Sequence, residues 1–345
     1  MIGPSPYVLI NMGARYVPCM RNTYNITNAN TTVLFPCPNS TSTTSTCSLG
    51  DLCGFSGVPN PHPGGSMDDQ PAPNQWFRFI VPIFLHAGLV HIGFNMLLQV
   101  TLGRDMEKEI GSLRFLLVYF SAGIFGFVLG GNFAPAGIAS TGASGSLFGI
   151  LALSLLDLLY GWNQRPSPGK ELMFIALDVA IAFVLGLLPG LDNFSHIGGF
   201  LMGLVLGICI LHSPGALRER IGLEAPPYAA VAAEQLAPVG SRDAAAGGGE
   251  PRGKPETGVK AFAKQPVDFF KGRKPLWWAW WLLRAGALVG VLVAFVVLLR
   301  NFYVYRTQCG WCKYLSCLVS PPLLSGLALP ATDATRRRRL PRCNG

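Results

Sequence analysis

Apolar residues in this chain gather in long blocks separated by short polar connections. Six blocks stand out, at 80–102, 113–131, 143–161, 171–189, 196–213 and 279–300. A run of about 20 apolar residues matches the thickness of the hydrocarbon core of a bilayer, so each block predicts a transmembrane helix. Trp277, Trp278, Trp280 and Trp281 stand at the mouth of the last block, where amphipathic rings suit a membrane interface. A closed barrel would need shorter strands of alternating polarity, and the sequence has none. The predicted fold class is therefore all-α: a polytopic transmembrane helix bundle of five closely spaced spans at 80–213, with one additional C-terminal transmembrane helix at 278–300.

The polar remainder has its own organisation. Residues 1–79 form a Pro-, Gly-, Ser- and Thr-rich loop, 214–277 an Ala-, Gly- and Pro-rich charged linker, and 301–345 a tail containing cysteines. Half of the 345 residues are hydrophobic and 13% are charged, against about 25% charged in an average soluble domain. The net charge of +9 would suit nucleic acid if it formed a patch. Instead Arg104, Lys108 and Arg114, then Arg165 and Lys170, then the stretch from Arg218 to Lys274 occupy alternate connections. This is the positive-inside pattern. It excludes a nucleic-acid partner and implies a lipid bilayer. It assigns 103–113, 162–170 and 214–277 to the cytosol, and 1–79, 132–142, 190–195 and 301–345 to the lumen or outside. Arg336 to Arg339 oppose this only weakly, being far from the last span.

Two features of the first loop agree with that orientation. Asn25, Asn30 and Asn39 each open an Asn-x-Ser/Thr sequon, which is modified only on the lumenal side. Cys19, Cys37, Cys47 and Cys53 make an even set suited to two disulfides, with three pairings open. In the tail, Cys309, Cys312 and Cys317 resemble half of a zinc site, but no second ligand pair follows. A disulfide is the expectation there, with no metal and no cofactor. The predicted localisation is a multi-pass protein of the secretory pathway or plasma membrane. The opening Ile-Gly-Pro-Ser-Pro forms no signal-peptide core.

Polar groups at membrane depth are costly and mark candidate chemistry. His91 and Asn95 are four residues apart and share one helix face. They fit hydrogen-bond donation to a developing oxyanion, and equally bonding between helices. For the neighbouring His86 the bundle-holding role is expected. Ser140-Thr-Gly142-Ala-Ser144-Gly145-Ser146 opens the third block. Its small residues suit close helix packing, and a serine at a helix start also lies near unsatisfied N–H groups that favour negative charge. His196 opens the fifth block, with Gly199 and Gly203 forming a Gly-x-x-x-Gly face. The third and fifth blocks enter from the same side, so Ser144 and His196 lie at similar depth. If Gly199 packs on a small residue of the serine helix, the imidazole reaches the hydroxyl and can take its proton. Asp157 lies about 20 Å deeper than Ser144. Asp178 is expected to be a structural hydrogen-bond partner. Asp192, one turn before His196, is the only acid within reach, and a dyad without an acid is expected.

These pieces together resemble the rhomboid family of intramembrane serine proteases: Trp76-Phe77-Arg78, His86, His91-x-x-x-Asn95, Gly103-Arg-Asp-Met-Glu107, Gly142-Ala-Ser144-Gly145 and His196-Ile-Gly-Gly199-x-x-x-Gly203, in family order across 76–213. The likeness is to fungal members of the eukaryotic type, which carry an extra C-terminal span. It implies Ser144 as nucleophile, His196 as general base, and His91, Asn95 and the Ser144 N–H as oxyanion donors. Gly142, Gly145 and Gly199 would pack the site, and Phe148 would stack on the His196 ring. The fourth block would be a movable gate and 190–195 a cap. The implied partners are single-span transmembrane substrates whose helices are weakened near the lumenal end. The family's Trp-Arg pair reads Trp76-Phe77-Arg78 here. The family also has a span before the long loop that this sequence lacks, which is expected to reflect a truncated gene model.

A non-catalytic member that binds membrane clients is the alternative, and it would be expected to have lost the serine or the histidine. A transporter would show duplicated halves, and none is visible. The loop orientation is directly testable. Expressed in eukaryotic cells, the chain is expected to shift on endoglycosidase digestion, and Asn25→Gln, Asn30→Gln and Asn39→Gln each to remove one step of that shift.

Overall fold

The computed structural model describes residues 3–39, 45–186, 192–211, 275–307, 309–312 and 315. Residues 214–274 of the linker, positions 190 and 191 of the cap, Cys317 and Arg336 to Arg339 lie outside them. The chain divides into two compact units, Met1–Leu211 with Ala287–Gly345, and His212–Gly286. In the second, the described residues open the last helix, where Trp277 packs edge-on against Trp278 at 5.2 Å.

Nine α-helices occur among the described residues: α1 Pro6–Asn11, α2 Leu49–Cys53, α3 Leu89–Leu98, α4 Arg104–Ile110, α5 Ser112–Phe133, α6 Ser144–Tyr160, α7 Pro168–Leu185, α8 Asn193–Ile210 and α9 Pro275–Arg300. Helices α5, α8 and α9, the last continued to Tyr305, are long and apolar enough to cross a membrane, and α6 is a shorter apolar helix. The predominantly helical architecture agrees with the hydrophobic blocks.

The first block departs from its predicted span. Residues Trp76–Phe79 and Val81–Phe84 form 3-10 turns, and α3 begins only at Leu89. Pro82 sits in the second turn and Leu85 is extended. Gly88 has φ 149°, a backbone state that side chains resist. Proline removes an amide donor, and this Gly resets the chain direction, so the helix starts nine residues late. A π-helical turn at Gln99–Gly103 then leads into α4.

Helices α5, α6 and α8 form the centre. Lipid tails are as apolar as leucine, so helices in a bilayer associate by close packing. Here glycines let backbones touch. A Cβ on Gly199 would overlap the Gly145 carbonyl, and one on Gly203 would lie 2.6 Å from Gly149 Cα. On α5, a Cβ on Gly126 would lie 2.5 Å from the Ser195 carbonyl oxygen. A buried cluster of Met106, Phe115, Val118, Phe125, Ile150, Leu153 and Leu206 fills the opposite end. Helix α7 differs: none of its described side chains is buried. An apolar groove of about 510 Å³ lined by Leu155, Ile175, Val179, Phe183 and Phe200 separates it from its neighbours. Asp178, expected to bond within the bundle, is exposed on α7, and a polar partner for it is absent among the described residues.

Helix α9 joins the bundle through its C-terminal half. Phe302 is fully buried and meets Phe79 edge-on at 5.1 Å. Asn132 of α5 donates to the Leu298 carbonyl at 3.1 Å and accepts from Asn301 at 2.9 Å.

The first loop is more ordered than its composition suggested. Disulfides join Cys19 to Cys53 and Cys37 to Cys47, the latter across the two-residue strands β1 Phe35–Pro36 and β2 Thr46–Cys47. Arg78, from the Trp-Phe-Arg motif, is fully buried and gathers the carbonyls of Ile10, Ala14 and Cys53 and the side chain of Gln75. Burial lowers its guanidinium to about 10, so it stays charged at neutral pH. The tail carries the predicted disulfide as Cys309–Cys312.

The glycine contacts imply a sharp cost for bulk. Gly203→Leu is expected to destabilise the bundle by about 2–3 kcal/mol or more, since the atoms it meets are backbone. Unfolding of the purified protein in detergent checks this, with Gly290→Leu, which faces open space, as a control.

Candidate active site

Ser144 is the first residue of α6. The preceding Ala143 gives no side-chain cap, so the opening N–H groups of α6 have no intrahelical acceptor and form a region of partial positive charge. Gly142, with φ 120°, turns the chain into the helix, and its N–H donates to the Pro82 carbonyl at 2.9 Å. His196 lies in the first turn of α8. Asp192 caps that helix, accepting from the N–H groups of Phe194 and Ser195.

The glycine seam brings these two helix starts together. Ser144 Oγ and His196 Nε2 are 2.8 Å apart. A hydroxyl donating to Nε2 requires the ring hydrogen on Nδ1, and Nδ1 is buried without a hydrogen-bond partner among the described residues. Phe148, one turn along α6, stacks on the imidazole with centroids 4.5 Å apart and planes 6° from parallel. The ring is thus held by packing on one face and by the serine at its edge.

His91 approaches from α3. Its Nδ1 accepts from the Ala87 N–H at 3.2 Å, which leaves Nε2 as the protonated, donating nitrogen. The space beside Gly142 is bounded by both groups: a Cβ there would lie 2.7 Å from His91 Nε2 and 3.7 Å from Ser144 Oγ. A small oxygen bound to the serine would find the His91 N–H nearby. Asn95 is buried, but its amide donates to the His91 carbonyl at 2.9 Å, along its own helix. His86, expected to hold the bundle, instead packs edge-on against His91 at 5.3 Å with its Nε2 buried and unbonded.

Asp192 does not orient the imidazole. Its Oδ2 pairs with Arg15 Nη2 at 2.8 Å and accepts from Ser195 Oγ at 2.6 Å, both side chains being almost wholly buried. Asp157 pairs with Arg165 far along α6. Gly130 leaves room for the Asp192 carboxylate. Sequence reasoning missed Arg15. Its one signal is a charge flanked by Ala14, Tyr16 and Val17, in a loop that otherwise reads as unstructured. Among the described residues, no group of three or more His, Cys, Asp or Glu is arranged to hold a metal ion.

The geometry describes a helical membrane protein with a part-buried serine–histidine pair at the shared end of two packed helices. Residues 73–213 match the family described as Rhomboid domain. The chain is 61% identical over 323 residues to Rhomboid-type serine protease 2 of Emericella nidulans, covering 92% of this chain and 62% of that protein. It is 32% identical over 245 residues to RHOMBOID-like protein 1 of Arabidopsis thaliana, 70% of this chain and 53% of the relative. A third relative, Inactive rhomboid protein 1 of Homo sapiens, is 28% identical over 270 residues, 78% of this chain and 24% of that protein. The chain therefore spans about three fifths or less of the length of these curated relatives. Through its rhomboid domain this chain belongs to the rhomboid family.

Gly142 borders the space between His91 and Ser144. Gly142→Ala is expected to cost about 1–3 kcal/mol, because the side chain meets His91 in a backbone state that disfavours it. Gly137→Ala, in open space, is expected to be neutral. Thermal unfolding of the two variants in detergent checks the difference.

Proposed function

We propose that this chain is an intramembrane serine endopeptidase acting on single-span membrane proteins near the lumenal ends of their helices. The observation that carries the reading is the 2.8 Å contact between Ser144 Oγ and His196 Nε2. In the proposed reaction His196 takes the serine proton as Oγ attacks the scissile carbonyl, then gives it to the departing amine. The oxyanion forms in the space beside Gly142, where the Ser144 N–H and the His91 Nε2–H donate to it. Asn95 supports His91 by bonding its carbonyl, a more indirect part than donation to the oxyanion. Water then releases the acyl chain, with His196 again as base.

The remaining assignments follow the charge pattern. Residues 1–79 and 301–345 face the lumen, and 214–277 face the cytosol. The three sequon asparagines, all exposed, are the glycosylation sites. Helix α7, none of whose described side chains is buried and which has an apolar groove behind it, suits a gate that swings to admit a substrate helix. A substrate helix must unwind before cutting, since its carbonyls are otherwise bonded within the helix. Helices weakened by Gly, Ala or Pro are therefore the preferred class. One relative carries a name that calls it inactive, so a client-binding member without activity is the competing reading.

The test is cleavage of a model single-span substrate by the full chain reconstituted in liposomes. Wild type is expected to cut, and Ser144→Ala and His196→Ala to fall to background, a loss of at least about 10³-fold. Equal behaviour of all three, with substrate still captured by each, would instead establish the client-binding reading.

A further inference from the structure

We infer that Arg15 is a positioning residue for the serine–histidine pair, holding the loop that leads to the serine and the histidine-bearing helix in register from outside the membrane helices. The inference rests on the protease reading above and names a residue that reading does not need.

Arg15 has two separate attachments. Its backbone pairs with Ser140, with Arg15 N to Ser140 O and Ser140 N to Arg15 O both 3.0 Å. Ser140 lies four residues before the nucleophile, in the segment that ends at Gly142. Its side chain reaches Asp192, the cap of α8, at 2.8 Å. His196 lies four residues beyond that cap. One residue thus ties together the two strands of chain that lead into Ser144 and His196. Asp192 is held on its other sides by Ser195 Oγ and by the N–H groups of Phe194 and Ser195, so a force on its carboxylate is transmitted to the first turn of α8.

Arg15 is itself fixed from behind. Arg78 Nη1 binds the carbonyl of the preceding residue, Ala14, at 2.6 Å, and Cys19 is bonded to Cys53, whose carbonyl also binds Arg78. The guanidinium is fully buried, and its Nε and Nη1 have no partner among the described residues. A group that bonds through one nitrogen at such a desolvation cost is poorly explained as a general stabiliser. Its placement between Ser140 and Asp192 gives it a geometric task.

The experiment uses the reconstituted full chain with Arg15→Met, which keeps the side-chain stem and the backbone bridge, together with Arg15→Lys, Asp192→Asn and the double variant Arg15→Met/Asp192→Asn. Misplacement by about 1 Å can cost about 100-fold in rate. Arg15→Met is expected to lower kcat about 10- to 100-fold per folded molecule, with KM within about threefold. Arg15→Lys is expected to recover part of the loss. The double variant is expected to be no worse than the poorer single one, as for two members of one unit. Amide hydrogen exchange gives a readout without activity. Residues 138–143 and 192–196 are expected to lose protection together in Arg15→Met, with α5 unchanged.

Wild-type kcat and exchange in Arg15→Met would overturn the inference. So would a loss of activity that matches the unfolded fraction, or additive effects in the double variant. If Arg15→Met fails to fold, Arg15→Lys and Asp192→Asn decide by the same exchange pattern. Equal cleavage by wild type and Ser144→Ala would sink the protease reading alone, and exchange would still judge whether Arg15 couples the two segments.

Discussion

Backbone contact between α6 and α8 is the constraint on which the site depends. A serine and a histidine side chain are short, and they meet only if the helices that carry them nearly touch. Gly145 faces Gly199 and Gly149 faces Gly203 along this seam, and a methyl added to Gly199 or Gly203 would strike the main chain of α6. Main chain cannot step aside as a side chain can. The helix spacing is therefore set by the missing side chains of Gly199 and Gly203, and the 2.8 Å contact between Ser144 and His196 follows from it. Phe148 completes the arrangement by stacking on the ring, so the imidazole has little freedom to turn away.

Much of this was legible in the chain. Long apolar blocks give spans because the bilayer thickness fixes helix length, and five of the six agree with helices to within a few residues. The pairing of Ser144 with His196 was readable from common depth and from the Gly-x-x-x-Gly face of α8. The position of Phe148 came from family likeness alone, since nothing in its spacing says which ring it should meet. The helix of the first block starts late because hydropathy averages over Pro82 and Gly88, while the backbone does not. Asp178 was misjudged for a related reason: hydropathy gives depth, but not which face of α7 turns inward.

The loop before the bundle was the least legible part. Its composition reads as irregular, and irregular it is in secondary structure. Yet two guanidiniums, Arg15 and Arg78, are fully buried in it. Each satisfies groups far apart in sequence, such as Arg78 with Ile10 and Cys53, or Arg15 with Asp192. Order of this kind leaves no periodic trace. It comes from a few long-range polar bonds that must be paired once they are buried, and a single sequence names the donors without their acceptors.

The docking of α9 has a consequence of its own. Asn132 is buried at the C-terminal end of α5, and α9 supplies it with the Leu298 carbonyl and the Asn301 amide. Peeling the last helix away would leave that carboxamide with only its intrahelical bond to Val128, and a buried amide is costly when its partners are lost. The terminal segment is thus a rivet, fastened by polar chemistry at one point and greased by aliphatic side chains elsewhere. A change in the length of the linker at 214–274 would leave that fastening intact.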